Sequence, residues 1–248
     1  MAAPVLILDE TDSTNAEARR RAEAGEVGPL WITARRQTAG RGRRGRKWES
    51  ESGNLASTLL LLTRKSPAEA AQLTFAASLA VADLVDRYVP PALVTIKWPN
   101  DVLLDGRKTS GILIESGPAP SGGLWLAVGI GVNLSQTPGE TERPATCIAE
   151  HLNHGVASAP TVDEAAKALA ETFGVWLDRW TTLGFQPILD AWTARTPGLH
   201  GPCTARLTNE TLSGTADGVE ADGSLRLKLP DGSLRVISAG DVFFGEAA

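Results

Sequence analysis

The sequence predicts an α+β protein: a mixed, mostly antiparallel sheet packed with helices, followed by a small C-terminal β-barrel. Three observations predict it. Helix signals and multi-strand runs come in blocks rather than in strict βα alternation, which argues against a doubly wound parallel sheet. The pattern changes near Pro197 to Pro202, and from Cys203 the chain reads as short strands and turns. Finally, 248 residues with 42% hydrophobic and 21% charged content can bury a sizeable core without disulfide or metal. The expected domains are residues 1–198 and 199–248.

Each element has a local reason. Val5 to Leu8 reads as a short buried strand. A helix follows, with Thr14 and Glu17 spaced as a capping box and Gly25 near its end. Pro29 to Ala34 is a second strand, and Gln37 to Ser52, rich in Gly and Arg, is a loop. Leu55 to Leu62 is a strand. Ser66-Pro67-Ala68-Glu69 opens a helix with cap, proline and box in place. Its apolar residues from Leu73 to Tyr88 recur at three- and four-residue spacing, and Pro90-Pro91 stops it. Leu93 to Ile96, Val102 to Leu104, Gly111 to Glu115 and Leu124 to Ile130 are strands joined by turn residues. Thr161 with Glu164 caps a helix reaching about Leu183, with Gly184 past its end, and Pro187 to Arg195 fits a further one. Barrel turns are expected at Asp217-Gly218, Asp222-Gly223 and Asp231-Gly232.

Composition excludes several function classes. Lys plus Arg number 24 and Asp plus Glu 29, a net charge of −5, which disfavours a non-specific nucleic-acid binder. The two cysteines, Cys147 and Cys203, make no disulfide framework and fit a reducing cytoplasm. The N-terminus lacks the basic region of a secretory signal, and the apolar stretch Leu55 to Leu62 is too short to span a bilayer. A cytoplasmic protein without membrane contact is expected.

The chemistry concentrates in four segments. In Gly40-Arg41-Gly42-Arg43-Arg44-Gly45-Arg46-Lys47-Trp48, five of the seven residues from Arg41 to Lys47 are cationic. Such crowding costs repulsion unless an anion joins it, and the glycines let backbone N–H groups approach that anion. A solvated charge run and a nucleic-acid patch are the blander readings. The glycine spacing and closing Trp48 favour a small-molecule phosphate site. Lys97-Trp98-Pro99-Asn100-Asp101 ends a strand: Lys97 and Asn100 can bond a polar ligand, and Asp101 can help hold magnesium. Pro-Asn-Asp is also ordinary turn chemistry. Lys108, before the buried strand that starts at Gly111, can point into a pocket or into solvent. Gly129-Ile130-Gly131-Val132-Asn133 permits close approach of a ligand, with Asn133 beside it. The spacing of His151 and His154 lacks further ligands for a metal site and reads as loop; Trp176 and Trp180, one turn apart, read as core.

Taken together, these segments resemble the catalytic region of biotin protein ligases, in order and in kind, over nearly the whole chain. The resemblance is carried by Ser13-Thr14-Asn15, Gln37 ahead of the arginine loop, the Lys-Trp-Pro-Asn-Asp strand end, the Lys108 turn and Gly-Ile-Gly-Val-Asn. It implies a class II synthetase-like catalytic domain with an SH3-like C-terminal barrel. It implies ATP-dependent activation of biotin to biotinyl-5′-AMP and transfer to a lysine of a biotin carboxyl carrier domain, with magnesium as cofactor. On this resemblance Ser13, Thr14, Asn15, Gln37, Arg41, Gly42, Arg43, Lys108 and Gly111 bind biotin. Arg43, Arg46, Trp48, Lys97, Asn100, Asp101 and Asn133 bind ATP, and Arg43 and Lys108 are catalytic. Lys108 is expected to orient the biotin carboxylate, and the arginine loop to be mobile until ligand orders it. A homodimer through the catalytic sheet is open.

The chain departs from the pattern twice. The catalytic motifs start within the first ten residues, leaving no room for the N-terminal DNA-binding domain of some relatives. The C-terminal end, Asp241-Val242-Phe243-Phe244-Gly245-Glu246, lacks the basic residue that touches ATP in others. A lipoate or octanoyl transferase of related fold is the nearest alternative, and a nucleic-acid-binding module using the basic loop is a more distant one.

Overall fold

The computed structural model describes residues 3–49, 52–139, 141 and 144–245. Ser50 and Glu51 of the expected arginine loop, and Glu246 of the expected C-terminal motif, lie outside the described residues.

The first part supplies β1 (Val5–Thr11), helix α1 (Thr14–Glu23), β2 (Leu30–Gln37) and β3 (Leu55–Thr63). Then come α2 (Pro67–Ala71), α3 (Leu73–Val85), β4 (Val94–Lys97), β5 (Asp101–Leu104), β6 (Arg107–Pro118) and β7 (Leu124–Val132). The long helix α4 (Val162–Leu183) and α5 (Gln186–Ala194) close it. The seven strands form one sheet in the order β1-β2-β3-β7-β6-β5-β4. Only β1 and β2 pair in parallel; every other pairing is antiparallel, as expected for an α+β layer.

The period-two alternation of the strands divides the core between two faces. Trp31, Leu59, Leu126 and Val128 face α3, α4 and α5, and the Trp31 ring meets Phe173 of α4 edge-on at 5.4 Å. Their neighbours Ile32, Leu60, Trp125 and Ala127 face the other way, onto Ala18 and Ala22 of α1. The capping boxes at Ser66 and Thr161 both form, with each Ser or Thr accepting from the backbone three residues on. Trp176 and Trp180 are core residues, as read from their spacing, and their indole N–H groups donate to Asp83 and Gln72.

The segment Pro67–Val85, longer than the apolar stretch Leu55 to Leu62, is long and apolar enough to cross a membrane by length and composition. Most of it is buried inside the fold, and Thr172 of α4 donates to the Ala80 carbonyl.

The C-terminal strands are β8 (Pro202–Arg206), β9 (Thr211–Val219), β10 (Leu225–Lys228), β11 (Leu234–Ile237) and β12 (Asp241–Phe244). They form an antiparallel sheet in the order β11-β10-β9-β8-β12, the SH3-like C-terminal unit. Turns form at Asp222-Gly223 and Asp231-Gly232, where both glycines have positive φ. Asp217-Gly218 is a correction. It lies inside β9, where the register against β10 shifts, so the glycine accommodates a bulge rather than a hairpin turn. The barrel docks on the first part through Gly223, whose carbonyl accepts from the Trp98 indole at 2.9 Å.

Candidate active site

The site lies on the α1 face of the sheet, and its floor is the start of α1. Ser13, Thr14 and Asn15 are buried there. The expected Thr14–Glu17 capping box does not form: Ser13 is the N-cap residue and its side chain makes no capping bond. Thr14 instead donates its backbone N–H to Gln37 Oε1 at 2.9 Å, and its hydroxyl lies 3.2 Å from the same oxygen. Thr58 of β3 lies with its hydroxyl 2.7 Å from both Thr14 Oγ1 and Asn15 Oδ1. It carries one proton and donates to one of them at a time. Asn15 Nδ2 donates to the Leu113 carbonyl and the Glu115 carboxylate, at 3.2 and 2.8 Å. Gly129 is required beside it, because a Cβ there would sit 2.1 Å from Asn15 Oδ1.

The arginine loop forms the lid. Arg41 bridges to Lys47, Gly42 N–H donates to the Arg46 carbonyl, and Trp48 N–H donates to Gly40. Between them Arg43–Gly45 makes a single 3-10 turn, with Arg44 in the left-handed region at φ 57°. The four arginines reach three other parts of the fold, Arg44 and Arg46 sharing one of them. Arg41 reaches Glu115 of β6 at 3.4 Å. Arg43 donates to Asn100 Oδ1 at 3.1 Å. Arg46 holds both oxygens of Asp241, the first residue of β12, at 2.6 and 3.3 Å, and Arg44 reaches Asp241 and Thr208. Burial pushes Arg43 below the ordinary arginine range while Asp101 and Asp241 oppose that shift; it remains a cation. The Trp48 ring covers Gly131 so closely that a Cβ there would lie 2.3 Å from it, and Gly111 lies against the same ring.

The polar wall opposite the floor comes from the β4–β5 turn and the β5–β6 hairpin. Lys108 Nζ is 2.5 Å from Asp101 Oδ1 and 5.7 Å from the Trp48 ring centroid. Asn100 Nδ2 donates to the Ile112 carbonyl. Asn133 follows β7, fully buried, with Nδ2 donating to the Thr146 carbonyl. Its Oδ1 has no hydrogen-bond partner among the described residues.

Floor, lid and wall enclose a cavity of about 400 Å³. Ser13, Thr14, Asn15, Gln37 and Gly111 line it, as do Arg41, Gly42, Arg43, Arg46 and Trp48. So do Asn100, Asp101, Lys108 and Asn133. Lys97 is the exception. It stands outside the lining, with its ammonium 5.0 Å from the ring centroid of Phe243 in the barrel. Among the described residues, no group of three or more His, Cys, Asp or Glu is arranged to hold a metal ion by itself, and His151 instead meets Arg107 and Thr146.

Three contributors escaped the sequence reading. Thr58 and Glu115 sit in ordinary strand sequence with no local signal. Asp241 was read only as the absence of a basic residue, whereas it lines the cavity and grips the lid.

Comparison with known proteins agrees with this geometry. Residues 8–135 match the biotin/lipoate A/B protein ligase family, and residues 202–245 match the biotin protein ligase C terminal domain. The chain is 43% identical to the biotin–[acetyl-CoA-carboxylase] ligase of Paracoccus denitrificans, over 96% of this chain and 100% of that one. It is 33% identical to the ligase of the same name from Mycobacterium tuberculosis, over 95% of this chain and 87% of that one. In fold it resembles the biotin protein ligase from Aquifex aeolicus in complex with biotin and ATP. The TM-score is 0.80 at 24% identity, covering 98% of this chain and 99% of that one. A site built from the family's motifs, the same fold and full-length kinship to curated ligases lead to one conclusion: this chain belongs to the biotin/lipoate A/B protein ligase family.

Proposed function

We propose that the chain is a biotin–[acetyl-CoA-carboxylase] ligase that joins biotin to a carrier lysine in two steps. The observation that carries the reading is the polarity of the cavity: a hydroxyl and amide floor at one end, clustered cations at the other. The ligand it suits has a neutral polar head, a short chain and an anionic reacting end. Biotin, with a ureido ring and a carboxylate, is that ligand.

In the first step a biotin carboxylate oxygen attacks the α-phosphorus of ATP. The bond to the pyrophosphate oxygen breaks, giving biotinyl-5′-AMP and pyrophosphate. Ser13, Thr14, Asn15 and Gln37 bind the ring. Lys108 orients the carboxylate and screens it from the phosphate. Arg41, Gly42 and Arg43 close over biotin and the adenylate phosphate, with Arg46, Trp48, Asn100 and Asn133 on the nucleotide side. The orphan Asn133 Oδ1 suits a donor on the nucleotide. In the second step the neutral amine of a carrier lysine attacks the acyl carbon and AMP leaves. Positioning and preorganised charge carry both steps without a covalent enzyme intermediate.

Asp101 fits magnesium as one buried carboxylate beside the phosphate site, since this ion is commonly held by one or two carboxylates plus substrate phosphates. Bound there, magnesium would neutralise triphosphate charge. Lys97, on the Phe243 ring, is assigned to positioning of the barrel rather than to ATP. We place the domain boundary between residues 198 and 199 and the reaction in the cytoplasm, with a carboxyl carrier domain as protein partner.

The test is ATP-dependent transfer of labelled biotin onto a carrier domain, run beside lipoate and octanoate. Transfer of biotin alone is the expected result. Preference for lipoate or octanoate would overturn the reading.

A further inference from the structure

We infer that Glu115 is a positioning residue that couples the biotin floor to the lid; the inference rests on the biotin reading above. Glu115 is on β6, two residues beyond Leu113, outside the cavity lining. Its carboxylate has two partners of different kinds. Oε2 accepts from Asn15 Nδ2 at 2.8 Å, and the carboxylate lies 3.4 Å from Arg41 Nη2. Asn15 belongs to the floor and Arg41 opens the lid, so one side chain contacts both halves of the binding site.

The coupling runs through the orientation of the Asn15 amide. A side-chain amide has a donor end and an acceptor end, and its surroundings decide which way it faces. Glu115 and the Leu113 carbonyl both accept, so Nδ2 faces β6. That leaves Oδ1 toward Thr58, where it takes the Thr58 proton. Thr58 then accepts the one proton of the Thr14 hydroxyl, and Gln37 Oε1 accepts from the Thr14 backbone N–H. Glu115 therefore sets the direction of the hydrogen-bond chain from Thr14 through Thr58 to Asn15, beside Gln37, where the ring of biotin is placed. Gly129 packs so closely against Asn15 Oδ1 that a Cβ there would lie 2.1 Å away.

The second contact acts on the lid. Arg41 is the first cation of the loop and its guanidinium is half-exposed. A carboxylate at that spot holds the loop over the floor and offsets part of the repulsion among Arg41, Arg43, Arg44 and Arg46. An exposed pair of this kind is modest, worth at most about a fivefold change in an equilibrium. The buried amide donor is worth more, because leaving it unpaired changes an equilibrium by roughly 10- to 100-fold.

Two variants separate these contributions. Glu115→Gln keeps an oxygen for Asn15 and removes the charge facing Arg41. Glu115→Ala removes both. Biotin affinity is measured by calorimetry, adenylate release by chasing labelled biotinyl-AMP, and KM for ATP and kcat by steady-state assay, all on the full chain. Glu115→Gln is expected to hold biotin within about twofold of the parent and to release the adenylate about 3- to 5-fold faster. Glu115→Ala is expected to bind biotin roughly 10- to 100-fold more weakly, with KM for ATP little changed. A merely structural role would move biotin and ATP together and would not be rescued by glutamine. Equal biotin affinity in parent and both variants, or equal losses for both substrates, overturns the inference. If Glu115→Ala fails to fold, unchanged adenylate release from Glu115→Gln overturns it alone. A parent protein that binds no biotin overturns the functional reading itself, which the parent measurement reveals first.

Discussion

Replacing Lys108 with alanine separates the two half-reactions. Its ammonium is 2.5 Å from Asp101 Oδ1, and the Asp101 side chain is only 9% exposed. The substitution therefore has two costs. It removes the cation assigned to the biotin carboxylate, and it takes one cation away from a buried carboxylate that also interacts with Arg43. Breaking a fully buried pair costs about 3–5 kcal/mol. Lys108 is still 29% exposed, so about 1–3 kcal/mol is the appropriate range here. That corresponds to a fall of roughly 2–10 °C in Tm for a chain of this size. Adding Asp101→Asn removes the buried charge that Lys108 offset, so the double variant should regain most of that loss. The catalytic loss should remain, because no cation has returned and the carboxylate assigned to magnesium is gone as well. Loss of one preorganised charge interaction typically slows chemistry by roughly 100- to 1000-fold. Single-turnover assays should show that loss in adenylate formation and a fall below about 10-fold in transfer from ready-made biotinyl-AMP. Equal loss in the two half-reactions would refute the assignment to the first step. Recovery of adenylation in the double variant would show that the effect was instability alone.

Four further outcomes follow from the geometry. Arg43→Gly loses the bond to Asn100 and should release biotinyl-AMP roughly 10- to 100-fold faster, seen as labelling of bystander lysines; unchanged retention would remove Arg43 from the site. Trypsin cleavage at the loop arginines should slow when biotin is added, because the ligand supplies contacts that offset the ordering entropy; equal cleavage counts against a closing lid. Gly131→Ala puts a Cβ 2.3 Å from the Trp48 ring and should weaken biotin binding by roughly 10- to 100-fold with an unchanged far-UV spectrum. Burial pushes the Cys203 thiol up to about 11, so it is protonated at pH 7–8 and should react with iodoacetamide only after denaturation.

What the sequence made legible was local. Ser66 and Thr161 cap helices with side chains that bond within their own boxes, and both boxes form. The same pattern at Thr14 misled, because Gln37 and Thr58 recruit its hydroxyl across the fold. Gly111 to Glu115 was readable as strand from its apolar residues, while the full reach of β6 from Arg107 to Pro118 depends on its register with β7 and β5. The glycine–arginine loop announced an anion site through its charge, yet which arginine meets which partner is a matter of tertiary placement. Lys97 shows the limit of reading a motif as a block: its neighbours Asn100 and Asp101 enter the cavity, and it leans on the barrel instead.

The grip of Asp241 on Arg46 joins positions 195 residues apart. During synthesis at about 5–20 residues per second, the loop leaves the ribosome roughly 10–40 s before its last anchor is made. A nascent chain can thus pair its seven strands while its lid still lacks this last anchor. The cavity becomes complete only when β12 has been added and paired with β8. Clipping the mature protein ahead of Asp241 would return it to that unfinished condition, with Arg41 and Arg43 still held and Arg46 without Asp241.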